Sequence, residues 1–175
     1  MTRAIGEQLE LPFTPEPPAL REPLLPIRKT PGPDARPAAR RMVLRTRGRV
    51  HDLNAIFHRL NRTFFGGQLE VQVTWGRAGA RPRRARQREI HLGTWDEAQN
   101  LIRIHPHLDR SFVPELVVEV TLYHEMLHVQ LGARLVKGRR RVHTRDFRDA
   151  ERAHPGYDEA VAWEKRNIDR LIRGK

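Results

Sequence analysis

The chain has 175 residues, 33 Lys or Arg against 21 Asp or Glu, a formal net charge of +12, and no cysteine. Without cysteine there is no disulfide, thiolate metal cluster or cysteine nucleophile, and no run approaches the roughly 18 apolar residues of a membrane span. The N-terminus lacks the apolar stretch of a secretory signal, so a cytoplasmic location is expected, and the basic excess favours polyanionic partners, nucleic acid first.

Nine of the 13 prolines fall within residues 1–40. Proline fixes φ and removes a backbone donor, so residues 1–44 read as a Pro-rich, largely disordered arm, and 45–175 as the folded domain. From Val50 the pattern turns helical. Leu53, Ile56, Phe57, Leu60 and Phe64 share one face, and Gly66-Gly67 supply the positive φ that ends the helix. Leu69, Val71, Val73 and Trp75 alternate as in a half-buried strand. A polar loop over 76–88 follows, then short strands at Glu89–Leu92 and Leu101–Ile104 around a turn at Asp96–Asn100. The longest helix is expected over about 111–131, with Pro114 in its first turn and Gly132 past its end. A basic loop leads to a helix over about Arg145–Ala153, with Thr144 as N-cap. His154-Pro155-Gly156 breaks that helix, and a last one runs from Asp158 to Arg173. This order predicts an α+β domain with a small antiparallel sheet packed on helices.

The chemistry concentrates in the long helix, at His124-Glu125-Met126-Leu127-His128. Histidines at i and i+4 stand one turn apart on one face, so their imidazoles can converge on one ion. Glu125 flanks that face, where it can take a proton from water rather than serve as a ligand. With nine His and 13 Glu in the chain, about 0.03 accidental matches to this pattern are expected, so chance does not explain it. A catalytic zinc needs a third protein ligand and one open position. His143 is the first candidate, from a loop 15 residues beyond His128, with Glu151, Glu159 and His154 as rivals. Tyr157 and Arg145 are candidates for stabilising an oxyanion.

Two segments are dense in arginine. Arg77, Arg81, Arg83, Arg84, Arg86 and Arg88 fall in one loop; Arg134, Lys137, Arg139, Arg140, Arg141 and Arg145 fall in another, between the helix histidines and His143. Both can bind phosphate, and the second lies beside the metal candidates by chain connectivity. Trp75 and Trp95 read as packing residues, Trp163 as an edge residue, and His105 and His107 as structural or exposed.

LNRTFFGGQLEVQVTWG (60–76), IRIHPHLD (102–109), YHEMLHV (123–129), HTRDF (143–147) and the following PGY occur in the order seen in one family. Over residues 50–157 the chain resembles the SprT-like zinc metallopeptidases, the SprT/Spartan protease domain, with the YgjP-like metal hydrolases as near relatives. The resemblance implies a zincin-like minimal metallopeptidase domain and one Zn2+ held by His124, His128 and His143. It also implies Glu125 as catalytic base, a protein substrate, and work on or near DNA. The cysteine zinc ribbon of SprT and Spartan is absent. The competing expectation is a non-catalytic, zinc-containing nucleic-acid-binding module, against which Glu125 counts, since a purely structural site has no use for a base.

Overall fold

The computed structural model describes residues 43–77, 90–136 and 139–173. The arm expected over 1–44 lies outside them except for Val43 and Leu44, as do Arg81, Arg83, Arg84 and Arg86.

Helix α1 spans Leu53–Phe65. The Asp52 carboxylate accepts from the amides of Asn54 and Ala55 at 2.9 and 3.2 Å, which satisfies donors the first turn leaves open. Leu53, Ile56, Phe57 and Leu60 are buried as the spacing predicts, but Phe65 rather than Phe64 completes the inner face. Gly66 and Gly67 both take positive φ (61° and 73°), and the Asn61 side chain bonds both backbone groups of Leu69, fastening the helix end to the strand that follows.

That strand, β1, covers Gln72–Trp75, beginning later than the alternation suggested. The expected strand at Glu89–Leu92 is displaced: β2 is Gly93–Asp96, and it pairs with β3, Leu101–Ile104. The Leu92 carbonyl still accepts the His105 amide at 2.8 Å, at the end of that ladder. The α+β class holds, while the expected all-antiparallel sheet is corrected to a mixed one. Sheet order is β1-β3-β2, with β1 and β3 parallel. The cause is topological. Strand β2 lies on the far side of β3 from β1, and the single reversal at Asp96–Asn100 returns β3 in the direction of β1. Arg45 lies along the other side of β1, its carbonyl accepting the Trp75 amide at 2.8 Å.

Helix α2 is Glu115–Leu131, starting four residues later than expected. Pro114 adopts an extended conformation (ψ 143°) ahead of the first turn, and a residue preceding proline is biased away from helix, so the pattern at 111–113 forms a turn instead. After Gly132 the basic segment, expected as a loop, contains the hairpin β4 (Arg134–Val136) and β5 (Arg139–Arg141). Helices α3 (Arg145–Arg152) and α4 (Tyr157–Arg173) complete the chain, and Thr144 Oγ1 accepts the Phe147 amide at the start of α3.

Helix α2 runs through the middle of the fold, packed against α1, α3, α4, β2 and β3. Val118, Leu122 and Met126 are fully buried there with Ile102, Ile104 and Phe147. Such burial, worth about 1.5–3 kcal/mol for each large apolar side chain, fixes the rotation of α2 and hence which residues it turns toward β2 and α3. Trp75 is buried and Trp95 and Trp163 half-buried, Trp163 stacking on Phe112 at 6.1 Å. His105 and His107 have structural roles. The His105 Nδ1 accepts the His107 amide, and His107 Nδ1–H donates to the Leu171 carbonyl at 2.7 Å.

Candidate metal centre

Because α2 is regular through residues 124–128, His124 and His128 stand one turn apart with their Nε2 atoms 3.1 Å from each other. The chain leaves α2 through the β4–β5 hairpin and returns His143 to the same point. Its Nε2 is 3.3 Å from that of His124 and 3.2 Å from that of His128. Three ring nitrogens so arranged cannot satisfy one another by hydrogen bonding, since with their protons on Nδ1 they present three converging lone pairs. A cation resolves the conflict. Tetrahedral coordination with metal–nitrogen bonds of 2.0–2.1 Å sets ligand nitrogens about 3.3 Å apart, so the donor set fits. Among the described residues His124, His128 and His143 form the one group able to hold a metal ion.

The surroundings hold the rings in this state. Glu151 Oε1 lies 2.6 Å from His124 Nδ1, an acceptor that keeps the proton on Nδ1 and leaves Nε2 free to ligate. Phe147, fully buried, packs against all three imidazoles with centroid distances of 5.1, 4.6 and 4.9 Å. Burial, then the neighbouring imidazoles, pushes His128 down to about 4, and burial also lowers His143. In both rings burial thus favours the neutral form, the one that can ligate.

Glu125 is only 6% exposed, and burial pushes its carboxyl up to about 7 against the opposing effects of His124 and the Trp95 backbone N–H, which donates to it. The carboxylate presses against β2. A Cβ placed on Gly93 would stand 2.6 Å from Glu125 Oε1 and 2.7 Å from its Cγ, so only glycine leaves this space open. A carboxyl titrating near neutrality can both accept and return a proton.

The rival ligands stand elsewhere. Glu151 holds the far nitrogen of His124, Glu159 is exposed, and His154 is buried against Phe64 and Tyr123 with its Nε2 3.6 Å from Glu119 Oε1. Arg145 faces Asp149 at 3.6 Å, and Tyr157, half-buried, opens α4 near Glu151. Of the second arginine cluster, Arg139, Arg140 and Arg141 form β5, and the Arg141 side chain is exposed. Gly93, the Trp95 amide and the role of Glu151 escaped the sequence reading. Only the i, i+4 spacing of Phe147 and Glu151 after His143 hinted at a common face.

Fold and site together define an α+β domain with a three-histidine group, able to hold a metal, on and beside its central helix. A family model described as "SprT-like family" matches residues 53–158, from the start of α1 into α4, and the chain belongs to this family. No curated protein and no solved structure matches the chain. No helix among the described residues is long and apolar enough to cross a membrane.

Proposed function

We propose that this chain is a zinc-dependent metallopeptidase with Glu125 as general base, acting on DNA-associated proteins. The observation that carries the reading is the triangle of Nε2 atoms at 3.1–3.3 Å, with a buried, proton-accepting carboxyl on the next residue of the same helix. His124, His128 and His143 would hold the zinc, whose Lewis acidity would acidify water and polarise a peptide carbonyl. The rest is the work of this chain's own groups. The Glu125 carboxylate takes a proton from the attacking water and delivers it to the departing amide nitrogen. The Trp95 N–H holds the carboxylate in register, and burial keeps its proton affinity near that required at neutral pH. Strand β2 pairs with β3 on one side only among the described residues, and Glu125 abuts it. An extended substrate backbone can add to the other side by main-chain hydrogen bonds.

Contact with DNA is supported by position. Arg139, Arg140 and Arg141 lie in the segment that joins His128 to His143, so a phosphate backbone held there lies beside the metal group. DNA affinity should fall steeply with salt; a flat response assigns these arginines to solubility.

Glu125→Gln is the decisive variant. It should keep wild-type zinc content and lose peptide-bond cleavage by at least about 10²-fold, the usual contribution of a general base. Retained cleavage overturns the reading. A zinc-loaded wild type that cleaves no protein, with or without DNA, supports the non-catalytic zinc module instead.

A further inference from the structure

Two side chains that serve the metal group, Phe147 and Glu151, stand on α3, and α3 has only eight residues. A helix of that length does not persist alone, so its place must come from what it touches. Phe147 and Ala150 are its buried residues. Apolar contact is non-directional and leaves so small a helix able to slide or turn. Hydrogen bonds are directional, and α3 meets α2 through a pair of them on consecutive residues. Tyr123 Oη donates to the Ala150 carbonyl at 3.0 Å, and on the next residue of each helix His124 Nδ1 meets Glu151 Oε1 at 2.6 Å. The Ala150 carbonyl lies in the last turn of α3, where the intrahelical amides run out; the Ala153 amide, just past the helix, shares it at 3.1 Å.

Tyr123 is itself held firmly. It is only 2% exposed, and Phe64 and Phe65 of α1 and His154 of the α3–α4 corner pack on its ring at centroid distances of 5.0, 5.6 and 5.0 Å. A phenol so enclosed needs an acceptor for its O–H, and the Ala150 carbonyl supplies one. We propose that Tyr123 is a positioning residue: its hydroxyl, bonded to the Ala150 carbonyl, sets α3 in the register that brings Glu151 onto His124 Nδ1. One peptide joins Tyr123 to His124 and another joins Ala150 to Glu151, each within a regular helix, so fixing the first pair fixes the second. Glu151 then keeps the His124 proton on Nδ1 and its Nε2 turned to the other two imidazoles. Phe147, one turn earlier on α3, is carried against the three rings by the same placement. The proposal rests on the three histidines as a metal group, and not on peptide-bond cleavage.

The test is a double-mutant cycle on the full chain, read as zinc affinity by chelator competition. Tyr123→Phe keeps the ring and its packing and removes one O–H. It should lower zinc affinity by about three- to tenfold, the span of one hydrogen bond's net contribution. In a Glu151→Ala background the same change should cost about twofold or less, because the route through Glu151 is already cut. An unchanged affinity in Tyr123→Phe overturns the proposal. An equal loss in both backgrounds also overturns it, in favour of general loosening of the fold. Phe65→Leu thins the packing under the same ring without touching the hydroxyl and should keep wild-type affinity; a loss matching that of Tyr123→Phe assigns the effect to packing and overturns the proposal as well. NMR of the metal-free full chain, labelled with 15N-histidine, gives a second readout. The His124 Nδ1–H, bonded to Glu151, should give a sharp signal in wild type and a broadened one in Tyr123→Phe. A signal absent from wild type, or equally sharp in both, overturns the proposal. If wild type binds no zinc, the metal reading fails by itself, and the Nδ1–H signal still decides whether Tyr123 places Glu151.

Discussion

Replacing Gly93 by alanine isolates the placement of Glu125 from every other feature of the centre. Gly93 does not have positive φ, so alanine fits the strand's backbone and the perturbation is purely steric. The added methyl would lie 2.6 Å from Glu125 Oε1, whereas ordinary contact begins near 3.4 Å, so the carboxylate must retreat by about 0.8 Å. That retreat also stretches its bond from the Trp95 amide. Misplacing a reacting group by about 1 Å costs on the order of 100-fold, or about 2.7 kcal/mol of barrier. The three atoms nearest this methyl all belong to Glu125, so the crowding falls first on the carboxylate and zinc content should remain at the wild-type level. Strand stability should change little, because alanine for glycine reduces the freedom of the unfolded chain by about 0.4–1 kcal/mol, which partly offsets the local crowding. The assay is kcat/KM on a fluorogenic peptide, with zinc measured on the same samples. Wild-type turnover in Gly93→Ala would refute the claim that Glu125 acts from its position against β2.

Other consequences are equally open to measurement. His143→Ala should lose most of its zinc in dialysis against a weak chelator, and wild-type retention would remove His143 from the ligand set. Glu151→Ala should weaken zinc binding by about 10–100-fold in chelator competition while leaving secondary structure intact, with Glu151→Gln intermediate because an amide oxygen can still accept from His124 Nδ1. Asp109→Asn should destabilise the fold by about 1–2 kcal/mol at pH 7, since Asp109 accepts the amides of Arg49, Val50 and His51 at 2.6, 2.8 and 3.1 Å from a partly exposed position. Burial works to raise the Asp109 carboxyl, and the three amides outweigh it, so its folded pKa lies below the ordinary value. Its contribution is therefore full above the unfolded pKa and is lost as pH falls through the folded one. The gap between wild type and Asp109→Asn in urea midpoint should close in acid; a gap independent of pH would refute this origin.

How much of this could be read from residues alone depended on whether the deciding interaction was local. The apolar stripe of α1 and its Gly66-Gly67 stop are local, and both appear in the structure. The i, i+4 histidines needed only a helix. Strand β2 was misplaced because Ile90 and Leu92 show the alternation of a strand, whereas Gly93–Asp96 acquire theirs from pairing with β3, which is a tertiary choice. The parallel pairing of β1 with β3 depends on which side of β3 the chain enters, and no residue pattern encodes that side. Pro114 was read as a tolerated first-turn residue, yet its effect on Val113 moved the helix start to Glu115. Gly93 carried no signal at all, since its importance lies in what another helix presses against it.

The β4–β5 hairpin sits inside the loop that the metal group closes. His128 and His143 are 15 residues apart, and a shared ion between them would act as a cross-link in a chain that has no disulfide. For a loop of that length, closure removes unfolded-state freedom worth about 3 kcal/mol on the polymer estimate used for disulfides. Within that loop the backbone register sets Arg134 opposite Arg141. A single ion held there would couple two properties that look separate in the sequence. Coordination by these histidines would both ready the proposed chemistry and tether the segment that carries Arg139, Arg140 and Arg141, so withdrawing the metal would slacken that segment along with disarming the site.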